Sequence, residues 1–280
     1  MELKLVTNTA RSAVLELTES GKFYTESQYD IYVNDEKYME SNKVITSLFD
    51  LKPDTDYNVY AVYNGQKTNE VNIHTKYEFV TLNVRDFGAL GDGVHDDTNA
   101  IQCAIMACPK DSRVLVPEGE YKVSSVFLKS DLTLELAKGA VLSAFTERDK
   151  FPILPGVIES YDEKEEYNLG SWEGNPLDCF SAILCGINVE NVVITGEGTI
   201  DGNTTFENWW NNCKIRNTAW RPRLFFINHC NNVMMHGITV QNSPSWTIHP
   251  YFSNHLKFID VKIKNPANSH NTDGLDPESC

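Results

Sequence analysis

Asn271-Thr-Asp-Gly-Leu-Asp276 sets two carboxylates three residues apart. Cleaving a glycosidic bond takes an acid to protonate the leaving oxygen and a carboxylate to activate water, so Asp273 and Asp276 are the first candidates for chemistry. The same hexapeptide is also a good turn, because Asn, Asp and Gly tolerate left-handed backbone angles. Its setting favours an anionic ligand. Residues 208 to 270 contain Lys214, Arg216, Arg221, Arg223, Lys257, Lys262 and Lys264 against Asp260 alone, a local +7 − 1 = +6 in a chain of net charge −15. Arg221 and Arg223 offer two-pronged geometry to a carboxylate, with Lys257 or Lys264 as alternates. Two other readings stay open: a solvated basic face, and arginines that brace a turn around Pro222.

Other clusters fare worse. Gly91-Asp-Gly-Val-His-Asp-Asp97 lacks the twelfth-position Glu of an EF-hand and the Gly-Lys-Ser/Thr of a phosphate loop. It reads as a turn followed by a helix cap. His229, His236, His249 and His255 show no helical i, i+4 pair, so no metal and no cofactor are expected. Residues 147 to 178 carry nine acids (Glu147, Asp149, Glu159, Asp162, Glu163, Glu165, Glu166, Glu173 and Asp178) against three bases, and read as a solvated insertion loop.

The elements that must position these residues fall into two patterns. Up to about Lys76, short alternating runs (Val14 to Leu17, Tyr29 to Val33, Val44 to Leu48, Tyr57 to Tyr63, Val71 to His74) are separated by turns such as Asn34-Asp35 and Asn64-Gly65, which predicts a small β-sandwich over residues 1–76. After Tyr77-Glu78 a strand, a glycine-rich turn and one amphipathic helix are expected, with Asp97 or Thr98 as cap and Pro109 as stop. Short apolar runs headed by Asp131, Asn191, Asn232 and Asn254 follow, the last two 22 residues apart. Repeated strands without intervening helices can coil so that each lies about 4.8 Å from the one before. The fold class expected for residues 79–280 is therefore all-β, a single-stranded parallel β-helix whose N-terminal end the helix caps. Stacked coils would bring Trp246 and His249 beside Asp273, unless Trp246 is core and His249 a bonded turn residue.

Composition bounds the rest. With 280 residues, 41% hydrophobic and 22% charged, the chain can build a core in one or two units. Its net charge of −15 argues against a nucleic-acid partner. Apolar runs such as Leu224 to Ile227 fall far short of the roughly 20 residues a membrane helix needs, so no membrane partner is expected. Met1-Glu-Leu-Lys-Leu-Val has no long apolar stretch, which points to a soluble, cytoplasmic protein, or an extracellular one exported by another route. Seven irregularly spaced cysteines without a Cys-x-x-Cys pair read as buried thiols.

Several motifs carry a family resemblance. Phe87-Gly-Ala-Leu-Gly-Asp-Gly-Val-His-Asp-Asp-Thr98 is similar to the opening motif of many pectin-degrading β-helices and phage tailspikes, and so speaks for fold only. Gly196-Glu-Gly-Thr-Ile-Asp-Gly202 with Trp209-Trp210, Arg221-Pro-Arg-Leu, Asn242-Ser-Pro-Ser-Trp-Thr-Ile-His-Pro250 and Asn271-Thr-Asp-Gly-Leu-Asp-Pro277 narrow it. Residues 79–280 resemble glycoside hydrolase family 28, the polygalacturonase-like enzymes. That resemblance implies a right-handed β-helix and inverting hydrolysis of α-1,4-galacturonosidic bonds in pectin or oligogalacturonides, an acidic polysaccharide substrate. It makes Asp273 a helper in activating water, and Arg221, Arg223, Trp246, His249, Asn271 and Asp276 substrate-binding candidates. The family's Gly-Asp-Asp, later His and Arg-x-Lys motifs have no counterpart before Cys280, so the chain is expected to be the inactive N-terminal part of a longer enzyme. Leu51-Lys-Pro-Asp-Thr-Asp-Tyr57 resembles the tyrosine corner of fibronectin type III domains, and such a module beside this β-helix suggests exo action. A pectate-lyase-type β-helix and a non-catalytic glycan-binding protein are the alternatives.

Overall fold

The computed structural model describes residues 1–18, 23–157 and 168–280, which fall into two compact units, Met1–Phe79 and Val80–Cys280. Five of the nine acids in the 147–178 stretch (Glu159, Asp162, Glu163, Glu165 and Glu166) lie outside the described residues.

The first unit has two antiparallel sheets. One pairs Leu3–Asn8, Ala13–Leu17 and Ile45–Leu48 in that order; the other runs Glu36–Lys43, Tyr24–Val33, Asp56–Tyr63, with Gln66–Lys67 and Val71–His74 both paired to Asp56–Tyr63. Leu15, Leu17, Ile31, Val59, Ala61 and Ile73 fill a shared core, as the alternation of the sequence requires. Glu36–Lys43 has no such alternation. It is an edge strand in which only Ser41 is buried, so its pairing is carried by the backbone and leaves no apolar period to read.

The second unit is a right-handed parallel β-helix. Its first sheet stacks Thr81–Asn83, Arg113–Val116, Leu132–Leu136, Glu190–Gly196, Asn231–His236 and Asn254–Ile259. The second stacks Asp92–Asp96, Gly119–Val123, Ala140–Ala144, Thr199–Asp201, Thr239–Gln241 and Lys262–Lys264, and the third Val126–Phe127, Leu184–Ile187, Phe225–Asn228 and Ile248–Tyr251. Parallel register sets like residues in files: Leu134, Ile194, Met235 and Phe258 follow one another through the first sheet. Leu134, Ile194 and Met235 are fully buried, each worth about 1.5 to 3 kcal/mol relative to exposure.

A file of left-handed turn residues heads the first sheet. Asp131, Asn191, Asn232 and His255 have φ of 55°, 58°, 54° and 54°. Asn191 Nδ2 donates to Asp131 Oδ1, and Asn232 Nδ2 to Asn191 Oδ1, both at 2.9 Å. The fourth member corrects the sequence reading. Asn254 pairs in register with Asn231, not Asn232, so the coil step is 23 residues and His255 takes the left-handed slot.

The helix Thr98–Ala107 turns Ile101, Ala104 and Ile105 into the core beside Val84, Val114 and Val126. Asp97 is its N-cap residue, but its carboxylate does not cap. It accepts instead from Leu90 N at 2.7 Å and Gly91 N at 3.0 Å, pinning the glycine-rich turn, while Asp96 Oδ1 accepts from Thr98 N at 3.0 Å. Between the second and third sheets the described chain leaves the coil over residues 145–157 and 168–183, and again over 202–224. These excursions carry Trp172, Trp209, Trp210 and Trp220.

Candidate active site

The segment after Asn271 extends the third sheet. Leu275 bridges Ile248 and Glu278 bridges Tyr251 in parallel; Thr247 N donates to Asp273 O at 2.9 Å and Asp276 N to Ile248 O at 2.9 Å. That register sets Asp273 level with Trp246 and Asp276 level with His249. One coil earlier, His249 pairs with Phe226. Asp273 is exposed, whereas Asp276 and Glu278 are half-buried.

Arg223 anchors the ground beneath them. It is buried, and its guanidinium carbon lies 4.5 Å from the ring centre of Trp172 and 5.0 Å from that of Trp246. Nε donates to His249 Nδ1 at 3.2 Å, Nη1 to Ser245 Oγ at 3.0 Å and Arg221 O at 3.3 Å, and Nη2 to Ser171 O at 2.9 Å. The other ring nitrogen of His249 lies 3.0 Å from Glu278 Oε2, and Ser171 Oγ donates to the same carboxylate at 3.0 Å. Arg223, His249, Glu278 and Ser171 thus close a ring of hydrogen bonds. Trp172 stacks on Trp220 at 4.7 Å, and Trp246 meets His249 edge-on at 4.9 Å.

Arg221 is buried beside it. Its Nη1 donates to Pro244 O at 2.6 Å and His270 O at 2.9 Å, and Nη2 to Asn271 Oδ1 at 2.8 Å. Asn271 adopts φ 56°, so this arginine ties down the left-handed corner from which Asp273 projects. Its Nε is buried without a partner among the described residues.

Titration follows from these positions. Burial pushes the Arg221 guanidinium down to about 10, and lowers Arg223 as well. Burial lowers His249 against the opposing pull of Glu278. Asp276 moves the other way: burial first, then the charge of Asp273, push it up to about 6, with Arg223 opposing. One of its oxygens, Oδ2, is buried without a hydrogen-bond partner among the described residues, the environment that favours a protonated carboxyl.

The structure therefore brings together Asp273, Asp276, Asn271, Arg221, Arg223, Trp246 and His249. It separates the alternate cations. Lys257 stands on the first sheet and Lys264 on the second, while Arg216 pairs with Asp178 at 2.9 Å. The local excess of positive charge in the sequence is thus dispersed over several faces. Ser171, Trp172, Trp220 and Glu278 were not anticipated. Trp172 and Trp220 lie outside the strand pattern, and Glu278 follows Pro277 with no period of its own; the one signal was its place two residues after Asp276.

The second unit is thus a parallel β-helix whose third sheet presents closely spaced carboxylates among aromatic and guanidinium groups. The family model for Glycosyl hydrolases family 28 matches residues 110–280, and the chain belongs to that family. It is 32% identical over 204 residues to a probable polygalacturonase of Vitis vinifera, covering 70% of this chain and 39% of that one. It is 36% identical over 159 residues to an exo-poly-alpha-D-galacturonosidase of Dickeya chrysanthemi, covering 55% of this chain and 25% of that one. Among solved structures, the family 28 exopolygalacturonase of Yersinia enterocolitica superposes over 99% of this chain and 61% of its own, with TM-score 0.72 and 21% identity. The hyperthermoactive exopolygalacturonase of Thermotoga maritima gives TM-score 0.60 at 25% identity, over 73% of this chain and 51% of its own. The chain spans about a quarter to two fifths of the length of these two curated relatives.

Proposed function

We propose that the whole protein hydrolyses α-1,4-galacturonosidic bonds of pectin or oligogalacturonides with inversion, acting from a chain end. The observation that carries this reading is the Asp273 and Asp276 pair: one carboxylate open to solvent, its neighbour raised to about 6 and half-buried, on a family 28 β-helix. Environments that push two carboxyl groups apart assign them different tasks. Asp273, the exposed member, takes the proton from the attacking water. Asp276 keeps its own proton to higher pH and holds the sugar or Asp273 by a hydrogen bond. An inverting acid must stand about 6.5 to 9.5 Å from the base across the scissile bond, so a carboxylate on an adjoining coil, and not Asp276 on the same rung, suits that task.

Trp246 supplies an apolar face for the sugar ring, and Asn271 a polar edge. Arg221 and Arg223, with the terminal nitrogens of both hydrogen-bonded to protein acceptors, act as framework beneath the sugar and as a positive field. Exo action is supported by the similarity to the exo-acting Dickeya, Yersinia and Thermotoga proteins. For the first unit, a fibronectin type III-like module is supported by the bond from Lys52 N to Tyr57 Oη at 2.8 Å, the geometry of a tyrosine corner.

The test is reducing-sugar release from polygalacturonate by the whole protein and its Asp273→Asn variant. Release of single galacturonate units, lost in the variant, is expected. An unsaturated product absorbing in the ultraviolet would replace hydrolysis with elimination, and binding without release would leave a glycan-binding protein.

A further inference from the structure

The excursion over residues 202–224 outlines a cleft of about 420 Å³, away from Asp273 in its lining and within the size of small-ligand sites. Its wall is polar, formed in part by Arg148, Asn211, Arg216 and Asn217. Arg148 is the unusual member. Its guanidinium carbon lies 4.8 Å from the ring centre of Trp209, and burial lowers its pKa. Among the described residues no carboxylate or carbonyl accepts a hydrogen bond from it. Arg216 differs, since Asp178 at 2.9 Å and Thr218 O at 3.2 Å already engage it. Glu207 also lines the cleft, yet among the described residues it makes no ion pair with Arg148, and a partly desolvated guanidinium that hydrogen-bonds no protein anion is suited to an anion from outside.

The surroundings suit a sugar. Trp209 is fully buried and held edge-on by Phe151 at 5.7 Å and Phe180 at 5.5 Å, so the ring under Arg148 is rigid. The Asn208 amide is engaged by Thr205 N, Trp209 N and Asn203 O and shapes the loop. The amides of Asn211 and Asn217 have no side-chain partner among the described residues, and can donate to and accept from hydroxyls. The same loop reaches the Asn271 corner, where Phe206 meets the His270 ring edge-on at 5.7 Å and Trp210 Nε1 donates to Ser243 O at 3.2 Å.

We infer that this cleft is an accessory subsite for one uronate residue, with Arg148 on its carboxylate and Asn211 and Asn217 on its hydroxyls. The identity of the sugar as galacturonate rests on the function proposed above.

The experiment titrates the 280-residue chain with trigalacturonate, neutral galactotriose and sulfate, read at the indole N–H resonance of Trp209. Trigalacturonate should shift that signal in the wild type. Arg148→Gln and, independently, Asn217→Asp should each weaken the response about tenfold or more, with circular-dichroism melting unchanged. Equal response in Arg148→Gln and wild type overturns the subsite, as does an absence of response to trigalacturonate. Sulfate or galactotriose acting as well as the uronate overturns its assignment to an acidic sugar. Hydrolysis is read separately by reducing-sugar release from the whole protein: uronate binding through Arg148 without cleavage removes the proposed reaction and keeps the subsite, and cleavage with an indifferent Trp209 does the reverse.

Discussion

Arg223 Nε donates to His249 Nδ1 at 3.2 Å, and this bond sets the tautomer of the histidine. A guanidinium is a donor only, so Nδ1 carries no proton and Nε2–H points to Glu278 Oε2 at 3.0 Å. Arg223→Met keeps much of the apolar volume between Trp172 and Trp246 but leaves Ser171 O, Ser245 Oγ and His249 Nδ1 without their donor. Loss of buried hydrogen bonds of this kind should cost about 3 kcal/mol or more in denaturant unfolding. The His249 ring, relieved of a neighbouring positive charge, should titrate at higher pH by NMR than in the wild type. An unchanged titration would show that the bond does not govern the ring.

The coil repeat was legible because apolar runs recur behind Asp131, Asn191 and Asn232, and each needs an inward file to stack. Register was less so. His255 holds the turn that Asn254 promised, since two adjacent residues both suit a left-handed corner and only the pairing chooses between them. At the site, Asp273, Asp276 and the Trp246-to-His249 segment could be read from motif and coil spacing. The burial of Arg223 could not, because arginine is rarely interior unless fully bonded, and its acceptors come from Ser171, Ser245 and His249, up to 52 residues away in sequence. Trp172 was hidden for the same reason: a tryptophan in an acidic, unpatterned excursion shows its role only once the loop folds back.

Asp276 should make the fold less stable as pH rises. Its carboxyl is raised from the ordinary 3.8 to about 6 in the folded chain, so the native state holds the proton more tightly than the unfolded one. Stability therefore falls between about pH 4 and 6 and the penalty is full above that window. The melting temperature of Asp276→Asn relative to wild type should improve from pH 4 to about 6 and then level off up to pH 7.5. A difference that stays flat across that range would remove the raised carboxyl.

His236 should act in the opposite direction of pH. It is fully buried, 3.3 Å from Thr195 Oγ1, and burial pushes it down to about 4 against the pull of Asp260. Because the folded pKa lies below the unfolded value of 6.5, the native state resists a proton that the unfolded chain accepts. This contribution is present above pH 6.5 and is lost as pH falls toward 4. Between pH 7.5 and 5 it amounts to about 2 kcal/mol. Wild-type chemical denaturation should show that loss, and His236→Gln should flatten it while lowering stability at pH 7.5.

The turn file offers a way to separate backbone from side-chain effects. Asn191 holds φ 58° and lies between Asp131 and Asn232, giving a hydrogen bond to the first and taking one from the second. Asn191→Gly retains access to the left-handed angle and loses both bonds; Asn191→Ala loses both bonds and also strains the backbone. Exposed hydrogen bonds of this type contribute about 0.5 to 1.5 kcal/mol each, and a left-handed non-glycine residue without a local bond costs about 1 to 2 kcal/mol. Glycine has its own cost, the larger conformational freedom of the unfolded chain, of about 0.5 to 1 kcal/mol. Alanine should therefore be less stable than glycine by up to about 1.5 kcal/mol, and both should fall below wild type. If alanine matched or exceeded glycine, the left-handed angle would not be what selects asparagine at this corner, and the ladder bonds alone would have to explain the file.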